Sequence, residues 1–227
     1  MGATHHCDAP ADVRRVGAWL APDYEVIADR DPDLVCTSDA LQRPIRDDLR
    51  ERGFEVVHHE PSTLSAAVST FSALPAAAGD PAAGEELRAD AERRLDAVRD
   101  AVAGVERPVV YCEEWSDPPM AAGNWVPEAV RAAGGRYPFV APGERSREVD
   151  HGEFRDADPD HVVLHVCGHG DRVDPATLAE RGWDTDAAVH VVDDDLLNQP
   201  SPRLVDGVEA LAELFHPKRF EGTGGAK

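Results

Sequence analysis

The sequence predicts an α/β fold with two lobes of mainly parallel sheet, joined by one long connecting helix. The first observation is a repeat, in which a short charged segment, an Asp-Pro-Asp turn and an apolar run follow one another at residues 24–37 and again at 151–167. Short apolar runs bounded by turns are typical of strands buried in a parallel sheet. The second observation is a series of apolar residues at helical spacing over residues 84–105, between the two halves.

The elements of the first half begin and end at recognisable signals. Pro44 suits the first turn of a helix and Gly53 suits a C-terminal cap. The uncharged run 61–79 contains serines, threonines and Pro75, which argue against a membrane span. The predicted elements are a helix over 24–30, a strand over 34–37, a helix over 45–52, a strand over 55–58 and a helix over 63–74. We assign residues 1–79 to an N-terminal lobe.

The helix predicted over residues 84–105 would be about 30 Å long at 1.5 Å per residue, enough to cross a small domain. We therefore assign 80–106 to a linking backbone helix and 107–220 to a C-terminal lobe. The elements predicted there are strands over 109–112, 161–166 and 189–192 and helices over 127–133, 151–157 and 202–215. Residues 221–227 are expected to fray.

Composition limits the partners of the chain. The formal charge is -21, from 44 acids against 23 bases. Such a surface repels phosphate backbones, so no nucleic-acid partner is expected, and the excess of acids indicates adaptation to high salt in a halophilic source. The four cysteines, Cys7, Cys36, Cys112 and Cys167, have no Cys-x-x-Cys spacing and are expected to be reduced and mostly buried. We expect a monomer.

The junction between a predicted strand and a predicted helix, residues 111–127, concentrates Trp115, Met120 and Trp125. Ligands of α/β folds bind where strands end, so these side chains are predicted to stack on a flat ligand. Asp117 and Asn124 are predicted to bond its polar groups. The alternatives are that one tryptophan packs in the core beneath the loop and that Asp117 caps the turn at Pro118.

Residues 114–128, followed by Ala133-Gly134-Gly135, resemble the motif of the cobalamin-binding proteins of ABC importers, within the class III periplasmic binding proteins or helical-backbone metal receptors. Supporting matches occur at residues 4–8, 32–35, 166–168 and 201–205. The resemblance implies a corrinoid such as cobalamin as the transported ligand in an interlobe cleft, an importer permease as partner, no intrinsic cofactor and no catalysed reaction. Members of that family carry a further strand and helix before the Thr-His segment, so the first lobe is expected to lack this unit.

The resemblance also implies further site residues. The ligand-facing positions are Ser38 and Asp39 with Leu41 in the first lobe, and Cys167, Gly168, His169, Asp195 and Leu196 in the second. Ordinary loop chemistry and a halophilic surface over 193–195 are the alternatives. Permease docking is expected at Glu153 and, more loosely, at Asp47 or Asp48. The family implies the extracellular face of the cell membrane, whereas the lack of a signal-peptide pattern after Met1 favours the cytoplasm if Met1 is the true start.

The alternation of His165, Cys167 and His169 raises the possibility of a metal site, because alternate strand residues share a face. Gly168 and Gly170 weaken it, and no protein-held metal is predicted. A single contact from His169, or from His5 or His6, to a metal in the ligand is the other possibility. Rival functions are binding of haem or a ferric siderophore, and a cytoplasmic enzyme that handles metals or corrinoids. The lack of a basic pocket disfavours anionic siderophores.

Overall fold

Two separate hydrophobic cores divide the protein, whose computed structural model describes residues 1–5 and 9–220, into a small and a large lobe. The small core consists of Ile27, Ile45, Leu49 and Val56. The large core draws on every α-helix from residue 64 to residue 215 and on three parallel strands. This arrangement confirms the predicted two-lobed α/β fold. The expectations for His6, Cys7 and residues 221–227 lie outside the described residues.

The small lobe contains three two-stranded sheets, two of which are parallel. Its elements are β1 Gly2–Ala3, β2 Arg14–Arg15, β3 Gly17–Ala18, β4 Ala21–Pro22, α1 Tyr24–Ala28, β5 Val35–Ser38, α2 Arg43–Glu51 and β6 Val56–His59. Strands β1 and β2 are parallel, as are β5 and β6, and β3 and β4 form a separate antiparallel pair. The sequence signals act as expected: Pro44 lies in the first turn of α2, and Gly53 has a φ of 92° just beyond its end. Each predicted element of the first half is present, with ends displaced by one to three residues.

Two helices, α3 Leu64–Ala77 and α4 Pro81–Ala101, form a hairpin that follows the small lobe in the chain. The hairpin is tight because Gly84 lacks a side chain, whose Cβ would lie 2.7 Å from the Ser72 carbonyl oxygen. Leu64 and Phe71 of α3 lie in the large core together with Leu95 of α4. Packing therefore groups α3 with the large lobe, whereas the sequence assigned residues 1–79 to the first lobe. The apolar, uncharged face of α3 requires more core than the small lobe offers.

Helix α3 continues through Pro75 and ends at Ala77, three residues beyond its predicted end. The connecting helix starts earlier than predicted, since the Asp80 side chain caps it by accepting the Ala83 N–H at 3.0 Å. Across the described residues, no helix is both long and apolar enough to span a bilayer.

The large lobe contains a five-stranded sheet in the order β11-β10-β7-β8-β9. Its elements are β7 Val110–Ser116, β8 Pro119–Ala121, α5 Val126–Ala132, β9 Arg147–Glu148, α6 His151–Ala157, β10 His161–Leu164, α7 Thr177–Glu180, β11 Ala188–Val191, α8 Arg203–Phe215 and α9 Pro217–Phe220. Strands β7, β10 and β11 are parallel, and β8 and β9 continue the sheet in antiparallel pairing. The predicted helix 151–157 matches α6 at both ends. For the other predicted elements, most of the ends differ by one or two residues.

Residues 111–121 form a β-hairpin where the sequence predicted a loop. Strand β7 continues to Ser116, and Trp115 pairs with Met120 and Ser116 with Pro119. Asp117 and Pro118 make the turn, joined by a cis peptide bond. Pro119 is tolerated because it begins β8 at the end of the pairing, where one missing N–H matters little.

The described cysteines, Cys36, Cys112 and Cys167, are free thiols. Cys112 is buried in β7, but Cys36 and Cys167 are exposed. The expectation of mostly buried thiols is therefore wrong for two of these three. Cys36 is the exposed residue of β5, and Cys167 lies three residues beyond the end of β10.

Candidate ligand-binding cleft

The carboxyl ends of β7, β10 and β11 lie side by side because the three strands are parallel neighbours. The Cys167 N–H donates to the Glu114 carbonyl at 3.0 Å, and the Val192 N–H donates to the Leu164 carbonyl at 3.0 Å. These bonds align the segments that follow the strands. One edge of the sheet therefore gathers the predicted second-lobe residues, namely Trp115, Asp117, Met120, Cys167, Gly168, His169, Asp195 and Leu196.

The small lobe meets this edge through the loop that follows β5. Arg145 Nη2 of the large lobe lies 3.4 Å from Asp39 Oδ1 of the small lobe. Asp39 has a φ of 72°, and its carboxylate accepts the Leu41 N–H at 2.7 Å. The Ser38 N–H donates to the Gln42 side chain at 2.8 Å. We call the space between residues 38–42 and the large-lobe edge the cleft, with Ser38 and Asp39 on its small-lobe side.

The two predicted tryptophans occupy different environments. Trp115 is 47% exposed, and its indole N–H donates to the Asp117 carbonyl at 2.8 Å, so the hairpin fixes the ring while leaving surface open. Trp125 is 7% exposed and donates to the Leu197 carbonyl at 2.7 Å. Trp125 is thus a core residue, which corrects the prediction that it contacts ligand. Its polar N–H is satisfied inside the large lobe, and burial of the ring stabilises the packing of α5.

The backbone of Asn124 bonds to a neighbouring loop. This residue has a φ of 52°, its N–H donates to the Glu144 carbonyl at 2.5 Å, and its carbonyl accepts the Gly143 N–H at 3.1 Å. These bonds attach the loop 141–146 to the start of α5. Asp117 is exposed at the hairpin turn and Met120 is half-buried beside Trp115, so both are accessible from solvent.

The loop 167–170 is shaped by a carboxylate that sequence reasoning missed. Asp194 accepts the N–H groups of Gly168 and Gly170 at 2.8 and 2.7 Å. Both glycines have positive φ values, 80° and 60°, a conformation that other residues rarely adopt. Cys167, Gly168 and His169 are exposed on this loop. The acidic run 193–195 was the available signal, but it identified Asp195 rather than Asp194.

His165 does not share a surface with Cys167 and His169. It is fully buried, with Nδ1 2.5 Å from Asn198 Oδ1, and burial lowers its pKa to about 4. The strand ends at Leu164, so the alternation assumed from the sequence does not persist. The described chain contains no cluster of three or more His, Cys, Asp or Glu residues suited to a metal ion.

Asp195 and Leu196 lie at the far end of the edge, after β11. The Asp195 carboxylate accepts from Gln199 Nε2 at 2.9 Å and from Arg203 Nη1 at 2.9 Å. Leu196 is partly buried against the large core. The ion pair with Arg203 reduces the negative charge that Asp195 would present to a ligand.

A small-lobe tryptophan absent from the sequence predictions also lies near the cleft. Trp19 is 37% exposed in the turn between β3 and β4, and its carbonyl accepts from Gln42 Nε2 at 2.7 Å. Through Gln42 this turn is fixed to the loop that carries Asp39. Leu20 and Leu41 are exposed as well, so the small lobe presents apolar surface here. The sequence signal for this surface was the apolar pair Trp19-Leu20, which precedes the first predicted helix.

A buried ionic network lies beneath the hairpin. Glu113 is fully buried and accepts from Tyr111 Oη at 3.0 Å, Ser116 Oγ at 2.8 Å and Arg181 Nη1 at 3.0 Å. The Arg181 guanidinium lies 4.2 Å from the centre of the Trp183 ring. Burial, with the nearby Glu113 carboxylate, raises the pKa of Tyr111 well above its usual value. This network joins β7 to Arg181, the residue that follows α7, next to an irregularity in the β7–β8 pairing between Glu113 and Trp115.

Two concavities lie outside the cleft. One of about 510 Å³ is lined by the hairpin residues Ser116, Asp117 and Pro119 together with Arg181 and Trp183, among others. Another, of about 330 Å³, lies between the end of β6 and α3. Neither is lined by Asp39 or Arg145.

The predicted docking acids are exposed but paired. Glu153 accepts from Arg147 Nη1 at 2.9 Å in the first turn of α6. Asp47 accepts from Arg46 Nε at 2.8 Å on α2. The helix that corresponds to α6 in the small lobe is α1, since each precedes an Asp-Pro-Asp turn and a parallel strand. Asp23 caps α1 by accepting the Glu25 N–H, and Asp150 caps α6 by accepting the Glu153 N–H.

Known proteins resemble the chain in sequence and in structure. A family model described as periplasmic binding protein matches residues 3–195. The cobalamin-binding protein of Halobacterium salinarum is 26% identical over 208 residues, which cover 86% of this chain and 56% of that protein. The vitamin B12-binding protein of Vibrio cholerae is 26% identical over 204 residues, covering 87% of this chain and 73% of that protein. The chain thus spans little more than half the length of the Halobacterium relative.

Among solved structures, a periplasmic heme-binding protein from Pseudomonas aeruginosa has a TM-score of 0.80 at 23% identity, covering 93% of this chain and 82% of that chain. At this identity the likeness concerns the fold alone.

Proposed function

Because the chain belongs to the periplasmic binding protein family, we propose that it captures a corrinoid of the cobalamin type between its lobes and presents it to an ABC importer. The names of the Halobacterium and Vibrio relatives support this ligand, at 26% identity over most of the chain. The structural observation that carries the proposal is Trp115, an exposed indole that its own hydrogen bond holds near the tip of the β7–β8 hairpin.

A corrinoid offers a flat apolar ring edged with amide side chains. Trp115 and Met120 would cover part of one side, and the exposed Trp19 and Leu41 would approach from the small lobe. Asp117 and backbone carbonyls of the 167–170 loop would supply acceptors for the amide N–H groups, since the N–H groups of this loop are already bonded within the large lobe. We propose binding without catalysis, since the burial of His165 removes the cluster that suggested an enzyme.

Haem is the second candidate ligand. His169 is exposed on a loop that Asp194 fixes, and imidazole is a good axial ligand for iron as well as cobalt. A haem protein would lose ligand affinity when His169 is replaced by alanine. A corrinoid protein that relies on stacking would lose affinity mainly when Trp115 is replaced.

The test is isothermal titration calorimetry of the protein with cyanocobalamin, haemin and a ferric hydroxamate. We expect cyanocobalamin to bind at micromolar concentration or below. Trp115→Ala should weaken it about tenfold, equivalent to roughly 1.4 kcal/mol of lost ring burial and stacking. Leu87→Ala, which changes an exposed side chain on α4, is the matched control. Binding of haemin but not of cyanocobalamin would replace the leading proposal with the second one.

We further propose that the importer contacts one acid on each lobe, Glu153 on α6 and Glu25 on α1. The equivalent positions of α1 and α6 support Glu25 over Asp47, because α2 follows the repeated strand rather than preceding it. Charge reversal at Glu25 or Glu153 should abolish stimulation of the transporter's ATPase activity while leaving corrinoid affinity unchanged. Asp47→Lys is the control, and an equal loss with this variant would restore the original assignment.

We propose that the protein acts at the extracellular face of the cell membrane, where an importer receives its ligand. Protease treatment of intact cells that express the native gene should degrade it. Protection equal to that of a cytoplasmic marker would contradict this location.

A further inference from the structure

Arg145 is a cation of the large lobe whose side chain reaches across the cleft. Its guanidinium is 56% exposed, and the contact with Asp39 is long, at 3.4 Å. An exposed ion pair of this length contributes little, since water screens both groups. Asp39 has a second bonding partner in the Leu41 N–H, so its carboxylate does not depend on Arg145. The Arg145 side chain can therefore exchange partners at small cost.

The backbone beneath Arg145 is fixed on both sides. The Gly123 N–H donates to Ser146 Oγ at 2.9 Å, and the Asn124 N–H donates to the Glu144 carbonyl at 2.5 Å. A Cβ on Gly123 would lie 2.4 Å from the Arg145 carbonyl carbon, so the two segments are in direct contact. Arg145 thus combines a preorganised backbone with a side chain that can turn toward a ligand.

Other arginines on the large-lobe edge are bound to their own lobe. Arg203 lies 2.9 Å from Asp195 and 3.8 Å from Asp193. Arg181 is paired with the buried Glu113. Arg172 donates to the His169 carbonyl at 3.3 Å and makes no described contact across the cleft. Arg145 is the arginine of this edge whose described partner belongs to the opposite lobe.

An anionic group of a ligand would need a cation such as Arg145 in order to bind in the cleft. The chain carries a net charge of -21, so its overall field repels anions. Arginine binds phosphate through two parallel hydrogen bonds, which gives both affinity and orientation. A complete corrinoid such as cobalamin carries one phosphodiester in its nucleotide arm, whereas cobinamide lacks it.

We propose that Arg145 recognises the phosphodiester of the corrinoid's nucleotide arm, giving up Asp39 for the ligand when the cleft is filled. This inference rests on the proposed corrinoid function. It makes Arg145 the residue by which the protein distinguishes complete corrinoids from forms that lack the nucleotide arm.

The test compares cyanocobalamin with dicyanocobinamide by calorimetry, using the wild type, Arg145→Gln and Arg155→Gln. Arg155 is an exposed arginine of α6 paired with Asp156 at 3.0 Å, so its replacement makes the same change in net charge away from the cleft. We expect Arg145→Gln to weaken cyanocobalamin at least tenfold and dicyanocobinamide less than twofold. Arg155→Gln should change neither. Asp39→Asn should strengthen cyanocobalamin binding, because it removes the competing carboxylate.

The outcomes separate the two proposals. If the wild type binds neither corrinoid, the proposed function fails and this inference fails with it. If the wild type binds both and Arg145→Gln weakens them equally or not at all, the inference is overturned while the function stands. A loss of haemin affinity without a loss of cyanocobalamin affinity would also overturn it, since the recognised anion would then be a carboxylate.

Discussion

At the scale of single residues, the buried Glu113 carboxylate shows how the hairpin beneath the candidate site is held. Three side chains donate to it, and one of them is the guanidinium of Arg181. Pairing two buried charges offsets the free-energy cost of their desolvation. When one partner is removed, the other charge stays buried without this compensation. The stability of the hairpin therefore depends on both members of this pair.

Glu113→Gln should lower the free energy of unfolding by about 3 kcal/mol, because Arg181 is left without its counter-ion in a largely buried position. Urea denaturation followed by circular dichroism measures the change. Glu153→Gln is the control, since that carboxylate and its Arg147 partner are exposed and should contribute less than about 1 kcal/mol. Equal effects of the two substitutions would mean that the buried pair adds no special stability.

His165 predicts a pH dependence. Burial lowers its pKa from 6.5 to about 4 in the folded protein, so the unfolded chain binds one more proton between these values. The free energy of unfolding should therefore fall as pH drops below about 6.5, by about 1.4 kcal/mol per pH unit from this residue.

The measurement is urea denaturation at several pH values between 7 and 5 for the wild type and His165→Gln. The variant should have a flatter pH profile, whatever its absolute stability. His161 and His190 also have lowered pKa values and contribute in the same direction, so both proteins retain some slope. Identical slopes would show that His165 is not neutral and buried as described.

Exposure of a side chain was the property that sequence could predict least. Trp115 and Trp125 are the same residue type and lie ten positions apart. The buried Trp125 nevertheless donates its indole N–H to the carbonyl of Leu197, which is 72 residues further along the chain. The contact between Asp39 and Arg145 joins residues 106 positions apart. Long-range partners of this kind leave no local pattern. Cys167 is a further example, since it was expected to be a buried thiol and is exposed beyond the end of β10.

At the scale of elements, the helices were predictable because their ends carry local signals. Asp150 caps α6 and Thr63 caps α3, each through its side chain, and both helices start within one residue of their predicted starts. The cap of α4 at Asp80 was not recognised, so its predicted start is three residues too late. The β7–β8 hairpin was not predictable, because Pro118 and Pro119 usually end a strand and here lie at the turn and at the first residue of β8.

Leu95→Ala in α4 should cost about 2–5 kcal/mol of unfolding free energy, because Leu95 is 3% exposed and its loss leaves a cavity between α4 and the rest of the large core. Leu87→Ala on the exposed side of the same helix should change stability by less than about 0.5 kcal/mol. Both are read from the midpoint of urea unfolding. A small effect at Leu95 would contradict the assignment of α4 to the large core.

At the scale of the whole molecule, the dominant feature is charge. Forty-four acids and a net charge of -21 make the folded chain repel itself in dilute buffer. Screening shortens the range of this repulsion, from a Debye length of about 10 Å at 0.1 M salt to about 3 Å at 1 M. The adaptation to high salt proposed from composition has a direct consequence for stability.

The melting temperature should rise as sodium chloride is increased from 0.1 to 2 M at pH 7.5. Near pH 5, close to the sequence pI of about 4.7, the rise should be much smaller because the net charge is small. Differential scanning calorimetry at both pH values measures this difference. A rise of equal size at the two pH values would attribute the effect to general salting-out rather than to charge.

The unequal cores have one more consequence. Strand β6 of the small lobe ends at His59 and Leu64 is the first residue of the large core, so the described chain passes between the two cores once, over residues 60–63. One short connection leaves the contacts between the lobes, such as that of Asp39 with Arg145, to hold their relative orientation. A ligand that touches both lobes would add contacts of the same kind, so its binding should also stabilise the small lobe, whose core has only four buried side chains, against unfolding.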